Sequence, residues 1–275
     1  MNRRKVISKS EKELAFLQDL FIATDWGERF AELVDAHINL PKKGRALYVA
    51  AGAGGHTLAL QSRTGHELKF IGIDENEECL ELARAKAATM KAAAEFHQGK
   101  LDALYLQDDQ FDLVLGDASL VAPERVPAMI AELVRVTIPG GTVAFTLPTF
   151  SSFGEFFSIY WEALHNAGFI DREVDVESLI TELPSISAVE EMAARERLDD
   201  VTSWTQTEEF DYDSGEDFLN SPLISDFLMK DWLRSIPAEA AERLTHEIAR
   251  LINEERHNAE FSLTVKATLV VGRKS

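Results

Sequence analysis

The sequence predicts an α/β protein built on a doubly wound, mostly parallel sheet. Three observations predict it. Between residues 45 and 147, short apolar runs alternate with helix-period patterns, the signature of βαβ units whose sheet is covered on both faces. A glycine-rich turn, Gly52-Ala53-Gly54-Gly55, follows the first run and opens a helix. The chain is 275 residues long and 45% apolar, enough for one large core without a disulfide or metal staple.

In chain order, residues 1–40 are helical in pattern. Leu14, Phe16, Leu17, Leu20 and Phe21 share one face, and Phe30, Leu33, Val34 and His37 share another, with Thr24 or Asp25 as a cap between two helices. Pro41-Lys42-Lys43-Gly44 is a turn. Strands are expected at 46–50, 68–74, 94–97, 111–115 and 142–147, and helices at 77–93 and 130–136. Pro139-Gly140-Gly141 reads as a turn before the fifth strand. After Pro148 the alternation breaks. Helices are expected at 153–167, 187–198, 215–235 and 238–255, a strand-like segment at 201–210, and a clear final strand at 261–272. The division is an N-terminal helical lid, 1–44, and one domain, 45–275, with helical insertions at about 149–198 and 215–258.

Composition narrows the function. The chain has 28 Lys+Arg against 47 Asp+Glu, a net charge of −19, which disfavours phosphate backbones and so nucleic acid as a partner. One cysteine, Cys79, excludes a disulfide framework and suits a reducing, cytoplasmic setting. The basic start, Met1 to Lys5, is not followed by an apolar segment, so no secretion signal is expected, nor is any membrane span. Oligomeric state stays open. Asp211 to Asp217 only faintly resembles a calcium loop: its glycine is misplaced and its twelfth position is Pro222. No histidine or cysteine pair has ligand spacing, so no metal is expected. Asp199, Asp200, Glu208 and Glu209 read most simply as a solvated face.

The sharpest feature is the array of strand, glycine turn, helix, strand and Asp74. Glycines let a backbone approach a ligand and present N–H groups at a helix start, and a carboxylate ending the second strand suits ribose hydroxyls. Thr57 stands where a nicotinamide-binding G-x-G-x-x-G motif needs its third glycine, and no G-x-S-x-G elbow occurs.

Four stretches carry a family resemblance: 47–54 (LYVAAGAG), 70–74 (FIGID), 111–117 (FDLVLGD) and 133–142 (LVRVTIPGGT). Through them the chain resembles the class I S-adenosylmethionine-dependent methyltransferases, most of all the group that includes quinone-biosynthesis C-methyltransferases. The resemblance implies a Rossmann-like seven-stranded sheet with an antiparallel last strand, and S-adenosylmethionine as cofactor. It implies that Ala50, Gly52 and Gly54 flank the methionine part and that Asp74 holds the ribose, with Leu101 N–H near the adenine and Asp117 also at the cofactor. Three positions depart from the family. Tyr48 replaces its acidic residue, Ala50 its first glycine, and Gly99-Lys100-Leu101 its Gly-Asp-Ala.

Methyl transfer is mostly a matter of positioning, with a base only where the nucleophile carries a proton. Asp117 and His56 are the candidate catalytic groups, with Ser119 beside Asp117. The aromatic run Phe150, Phe153, Phe156, Phe157, Tyr160 and Trp161 is either core or substrate pocket; Phe21, Asp25 and Trp26 are lid candidates. The expected acceptor is a small organic molecule. A non-catalytic binding protein of the same fold and a nucleotide-dependent oxidoreductase are the alternatives.

Overall fold

A computed structural model describes residues 9–64, 66–169, 173–255 and 260–275; the basic start and the end of the second insertion, 256–258, lie outside them. Seven strands form one sheet in the order β3-β2-β1-β4-β5-β7-β6. They are β1 (Gly44–Val49), β2 (Leu68–Asp74), β3 (Glu95–Gln98), β4 (Phe111–Asp117), β5 (Thr137–Pro148), β6 (Leu198–Tyr212) and β7 (Phe261–Lys274). β1 to β5 pair in parallel, and β7 runs antiparallel to both β5 and β6. The strand order therefore reverses between β1 and β4, the place where open α/β sheets form a ligand crevice.

Side-chain alternation divides the core. Ala46 and Tyr48 of β1 face one apolar layer, and Leu47 and Val49 face the other. The first layer takes in α2 (Gly27–His37), α3 (Gly55–Thr64), α4 (Glu77–Met90) and α6 (Gly154–Asn166). The second takes in α5 (Val126–Val136) and, after α7 (Glu173–Glu182), α8 (Ile186–Arg195). The second insertion adds α9 (Gly215–Asn220), a π-helical turn at Leu223–Leu228, α10 (Met229–Trp232) and α11 (Ala238–Glu255).

The N-terminal arm differs from the expected pair of helices. α1 (Glu11–Leu17) starts at a capping box, Ser10 with Glu13, and passes without a break through a π-helical stretch, Gln18–Trp26, into α2. Thr24 does not cap: its hydroxyl donates to the Leu20 carbonyl one turn back, so its polar group is satisfied inside the helix. Helix α7 was not expected, and α5 begins at Val126, ahead of Pro127, which sits harmlessly in the first turn. β5 begins at Thr137, so Pro139-Gly140-Gly141 is a strand irregularity, with Gly140 at φ +77°, rather than a turn before the strand. Glu208 corrects the solvated-face expectation. It is 5% exposed and takes an ion pair from Arg29 at 2.6 Å, while Asp199, Asp200 and Glu209 are exposed.

Candidate active site

A cavity of about 570 Å³ opens at the C-terminal ends of β1 and β4, within the usual range of ligand pockets. The loop after β1 forms its floor through Ala50, Ala51, Gly52, Ala53 and Gly55; Asp117, Ser119 and Leu120 form one wall, and the N-terminal arm forms the roof.

The loop turns by leaving ordinary backbone space. Ala50, Gly52 and Gly54 have φ of 61°, 52° and 75°. Gly54 is irreplaceable: a Cβ there would lie 2.8 Å from both Ala83 Cβ and Phe96 Cζ. Ala50 tolerates the left-handed region at a cost of about 1–2 kcal/mol. Ala50→Gly is accordingly expected to stabilise the protein by about 1 kcal/mol, a rise in melting temperature of about 2–4 °C by differential scanning calorimetry.

Asp74 stands behind the loop and fixes it. Its carboxylate accepts from Gly52 N at 2.8 Å and from Asn76 N at 2.9 Å. Burial raises its pKa, against the lowering effect of those two backbone bonds. Asn76 caps α4 by accepting from the N–H groups of Glu78 and Cys79, so one turn serves both helix and loop.

Asp117 ends β4 inside the cavity. It accepts from Ser119 N at 2.9 Å and from the Thr146 hydroxyl at 3.2 Å. Burial raises its pKa, and Ser119 and Thr146 only partly offset this. A raised folded pKa means stability that is present below the ordinary aspartate range and lost as the pH climbs through the folded value. Asp117→Asn, which keeps both acceptor bonds and never ionises, is expected to melt above the wild type at pH 7. The gap should close as the pH falls below the ordinary aspartate range, followed by thermal melts across pH.

His56, at the start of α3, sits between two partners. Nδ1 lies 3.0 Å from Tyr48 Oη, and Nε2 lies 3.3 Å from an Asp35 oxygen. Asp35 also pairs with Arg63. His56 holds the Asp35 carboxyl below its usual range, whereas burial lifts the Tyr48 phenol well above its own.

The roof is latched at three points. Asp19 pairs with Lys86 of α4, Gln18 accepts from the Cys79 thiol at 3.3 Å, and Trp26 Nε1 donates to Ser119 Oγ at 3.0 Å. Burial pushes the Cys79 thiol up to about 12, so it is a packing group and not a nucleophile at neutral pH. Among the described residues no group of three or more His, Cys, Asp or Glu is placed to hold a metal ion, and no helix is long and apolar enough to cross a membrane.

A second chamber of about 100 Å³ shares Ser119 and Leu120 with the first. Its walls include Phe153, Phe157 and Trp232, and Glu182, Asp231 and Arg234 also line it. The aromatic run thus divides: Phe153 and Phe157 face this chamber, while Phe156 and Tyr160 are fully buried core.

Of the residues singled out in sequence, Ala50, Gly52, His56, Asp117 and Ser119 line the main cavity, with Asp74 holding its floor. Gly54 and Leu101 do not line it: the space beside Gly54 is taken by Ala83 and Phe96, and the Leu101 N–H points to a Glu75 carboxylate oxygen at 3.4 Å. Glu75 belongs to an ion cluster with Arg125 and Asp102. Gln18, Asp35 and Lys86 carried no signal in sequence, because Gln18 and Asp35 reach the site from the N-terminal arm and Lys86 from α4, each far along the chain from the glycine loop.

Comparison with known proteins agrees with this geometry. Residues 46–141 match the sequence model of a methyltransferase domain family. The chain is 30% identical over 129 residues to a demethylmenaquinone methyltransferase of Staphylococcus epidermidis, covering 46% of this chain and 53% of that protein. It is 32% identical over 126 residues to one of Staphylococcus aureus, covering 44% and 52%. The chain therefore spans about half the length of the curated relatives it matches. Its fold is similar to that of the YcgJ protein of Bacillus subtilis, with a TM-score of 0.59 at 18% identity over 90% of this chain and 98% of that one. It is also similar to a phosphoethanolamine N-methyltransferase of Haemonchus contortus solved with S-adenosylhomocysteine, with a TM-score of 0.57 at 15% identity over 98% and 59%. The matched segment builds β1 to β4 and the start of β5, the part that carries the loop, Asp74 and Asp117, and over these residues the chain is similar to a methyltransferase domain.

Proposed function

We propose that the protein transfers a methyl group from S-adenosylmethionine to a small organic acceptor. The observation that carries this is the left-handed loop, 50–54, fixed from behind by Asp74 at the floor of a cavity large enough for the cofactor. The residues present suit that group. Gly52 presents no side chain to the cavity, and a Cβ on Gly55 would meet open space. The carboxylates of Glu28, Glu32 and Asp117 line the same cavity, a setting that favours a cation. When bound, the cofactor supplies a methyl group on a positively charged sulfur.

In this proposal the loop backbone at Ala50, Gly52 and Gly54 cradles the methionine part, Asp117 faces its ammonium, and Asp74 takes the ribose hydroxyls. The arm 9–37 excludes water, since its three latches close the roof. The acceptor enters from the aromatic chamber beyond Ser119, whose walls suit a flat apolar body. The quinone-related substrate named for the Staphylococcus proteins is of that shape. The proposed setting is the cytoplasm, in keeping with a single, buried free thiol. Titration calorimetry with S-adenosylmethionine and S-adenosylhomocysteine tests the proposal: micromolar binding of both is expected, and no binding of either would overturn it.

A further inference from the structure

Where the resembled family carries an acidic residue on the first strand, this chain carries a phenol backed by an imidazole and a carboxylate. We propose that Tyr48 takes the proton from an ionisable hydroxyl on the methyl acceptor, with His56 and Asp35 as positioning residues behind it; this rests on the methyl-transfer function proposed above. The acceptor class is thereby narrowed to phenols and hydroquinones, whose ionised oxygen feeds the attacking atom.

The direction of the chain follows from its end. Asp35 is held ionised, as its lowered pKa reflects, so it can only accept, and the proton between it and His56 belongs to Nε2. Nδ1 then presents its lone pair, and the Tyr48 hydroxyl donates to it across 3.0 Å. Burial, with Asp117 and Asp35 nearby, keeps the phenol protonated at rest. The charged groups facing His56 are Asp35 from α2, Arg63 from its own helix and Asp117 from the end of β4. Arg63 shares the Asp35 carboxylate, which restrains that carboxylate from taking the proton itself. Three elements, β1, α3 and α2, thus bring together an acid–base group, a base and an orienting carboxylate, the arrangement that activates hydroxyls in nucleophilic enzymes. Tyr48, His56 and Asp35 all line the cavity.

The step balances. The acceptor O–H bond breaks and its proton goes to Tyr48 Oη as the phenol's own proton passes to His56 Nδ1. The acceptor keeps the electron pair as an oxyanion, and His56 becomes an imidazolium flanked by Asp35. The ionised acceptor bonds the methyl carbon as the methyl–sulfur bond breaks and sulfur keeps that electron pair, and His56, whose side chain is 16% exposed, then returns its proton to solvent.

The test has one arm that needs no cofactor. Nitrogen NMR of the His56 ring in the full chain is expected to show the Nε2–H tautomer, lost as a single form in Asp35→Asn. An Nδ1–H tautomer in the wild type would overturn the proposal, because Tyr48 would then accept from His56 and could pass no proton on. In the second arm, 4-nitrophenol is titrated into protein saturated with S-adenosylhomocysteine. The wild type should favour the coloured anion about tenfold over Tyr48→Phe, with both proteins melting within a few degrees and binding S-adenosylhomocysteine within threefold. Equal ionisation in the two proteins would overturn the proposal. Failure of the wild type to bind S-adenosylhomocysteine would instead strike the methyl-transfer function, with the tautomer result still deciding the relay.

Discussion

Asp74→Ala is expected to raise the dissociation constant for S-adenosylmethionine about 100-fold, or about 3 kcal/mol, by titration calorimetry. Two losses combine. The carboxylate that holds Gly52 N at 2.8 Å disappears, so the loop is no longer preset for a ligand, and the proposed charge-assisted bonds to the ribose disappear with it. Folding should suffer far less, because the variant also removes a partly buried carboxylate whose pKa burial raises. A fall in melting temperature under about 5 °C is expected, since two net hydrogen bonds are worth about 1 kcal/mol each. Asp74→Asn retains an acceptor for one of the two N–H groups and should lie between. The pH dependence has a definite sign. Binding needs the ionised carboxylate, so affinity should weaken on acidification, starting above the ordinary aspartate range because the folded pKa is raised. An Asp74→Ala protein that binds the cofactor within threefold of wild type would move the site away from this loop.

Much of this was legible in the sequence, for a physical reason. A parallel sheet buried on both faces demands largely apolar strands, and β1, β2 and β4 are such runs, ending at the glycine loop, Asp74 and Asp117. The antiparallel place of β7 followed from family resemblance and is present in the sheet. Elements outside the sheet's centre were less visible. The α7 sequence, EVDVESLITE, is polar along most of its length, and β6 alternates buried and exposed residues only in its last turn-ward third, from Glu208 to Tyr212. Glu208 looked like solvent-facing charge because its partner, Arg29, lies 179 residues away. The same distance problem hid half of the site. Gln18 and Cys79 are 61 residues apart, and Asp19 and Lys86 are 67 apart, so no local spacing joins them. Glycine turns and strand-end carboxylates announce themselves locally, whereas a lid announces itself only through what it touches.

Trp26→Ala is expected to destabilise the protein by about 3–5 kcal/mol, the usual cost of deleting a buried Trp, and to lower its melting temperature by about 10 °C. Trp26 is 1% exposed and lies at the meeting of four elements. Its ring is 5.1 Å from Phe30 on its own arm, 6.2 Å from Phe153 at the start of α6 and 5.5 Å from Phe210 on β6, while its N–H reaches Ser119 beyond β4. It is thus the bolt between the arm and the sheet. The site should feel the change as well, because Ser119 borders both the main cavity and the aromatic chamber. Trp26→Phe separates the two effects. It keeps most of the apolar contact and loses the hydrogen bond, so its cost should fall to about 1 kcal/mol, with Ser119 left to find water or Asp117. If the arm roofs the site, Trp26→Ala should also weaken cofactor binding and render the backbone of 18–26 rapidly exchanging by hydrogen–deuterium exchange, while β1 and β4 stay protected. An unchanged melt with an unchanged exchange pattern would show that the arm is not docked in solution. The cofactor loop would then lie open to solvent, and water exclusion would have to come from the acceptor itself.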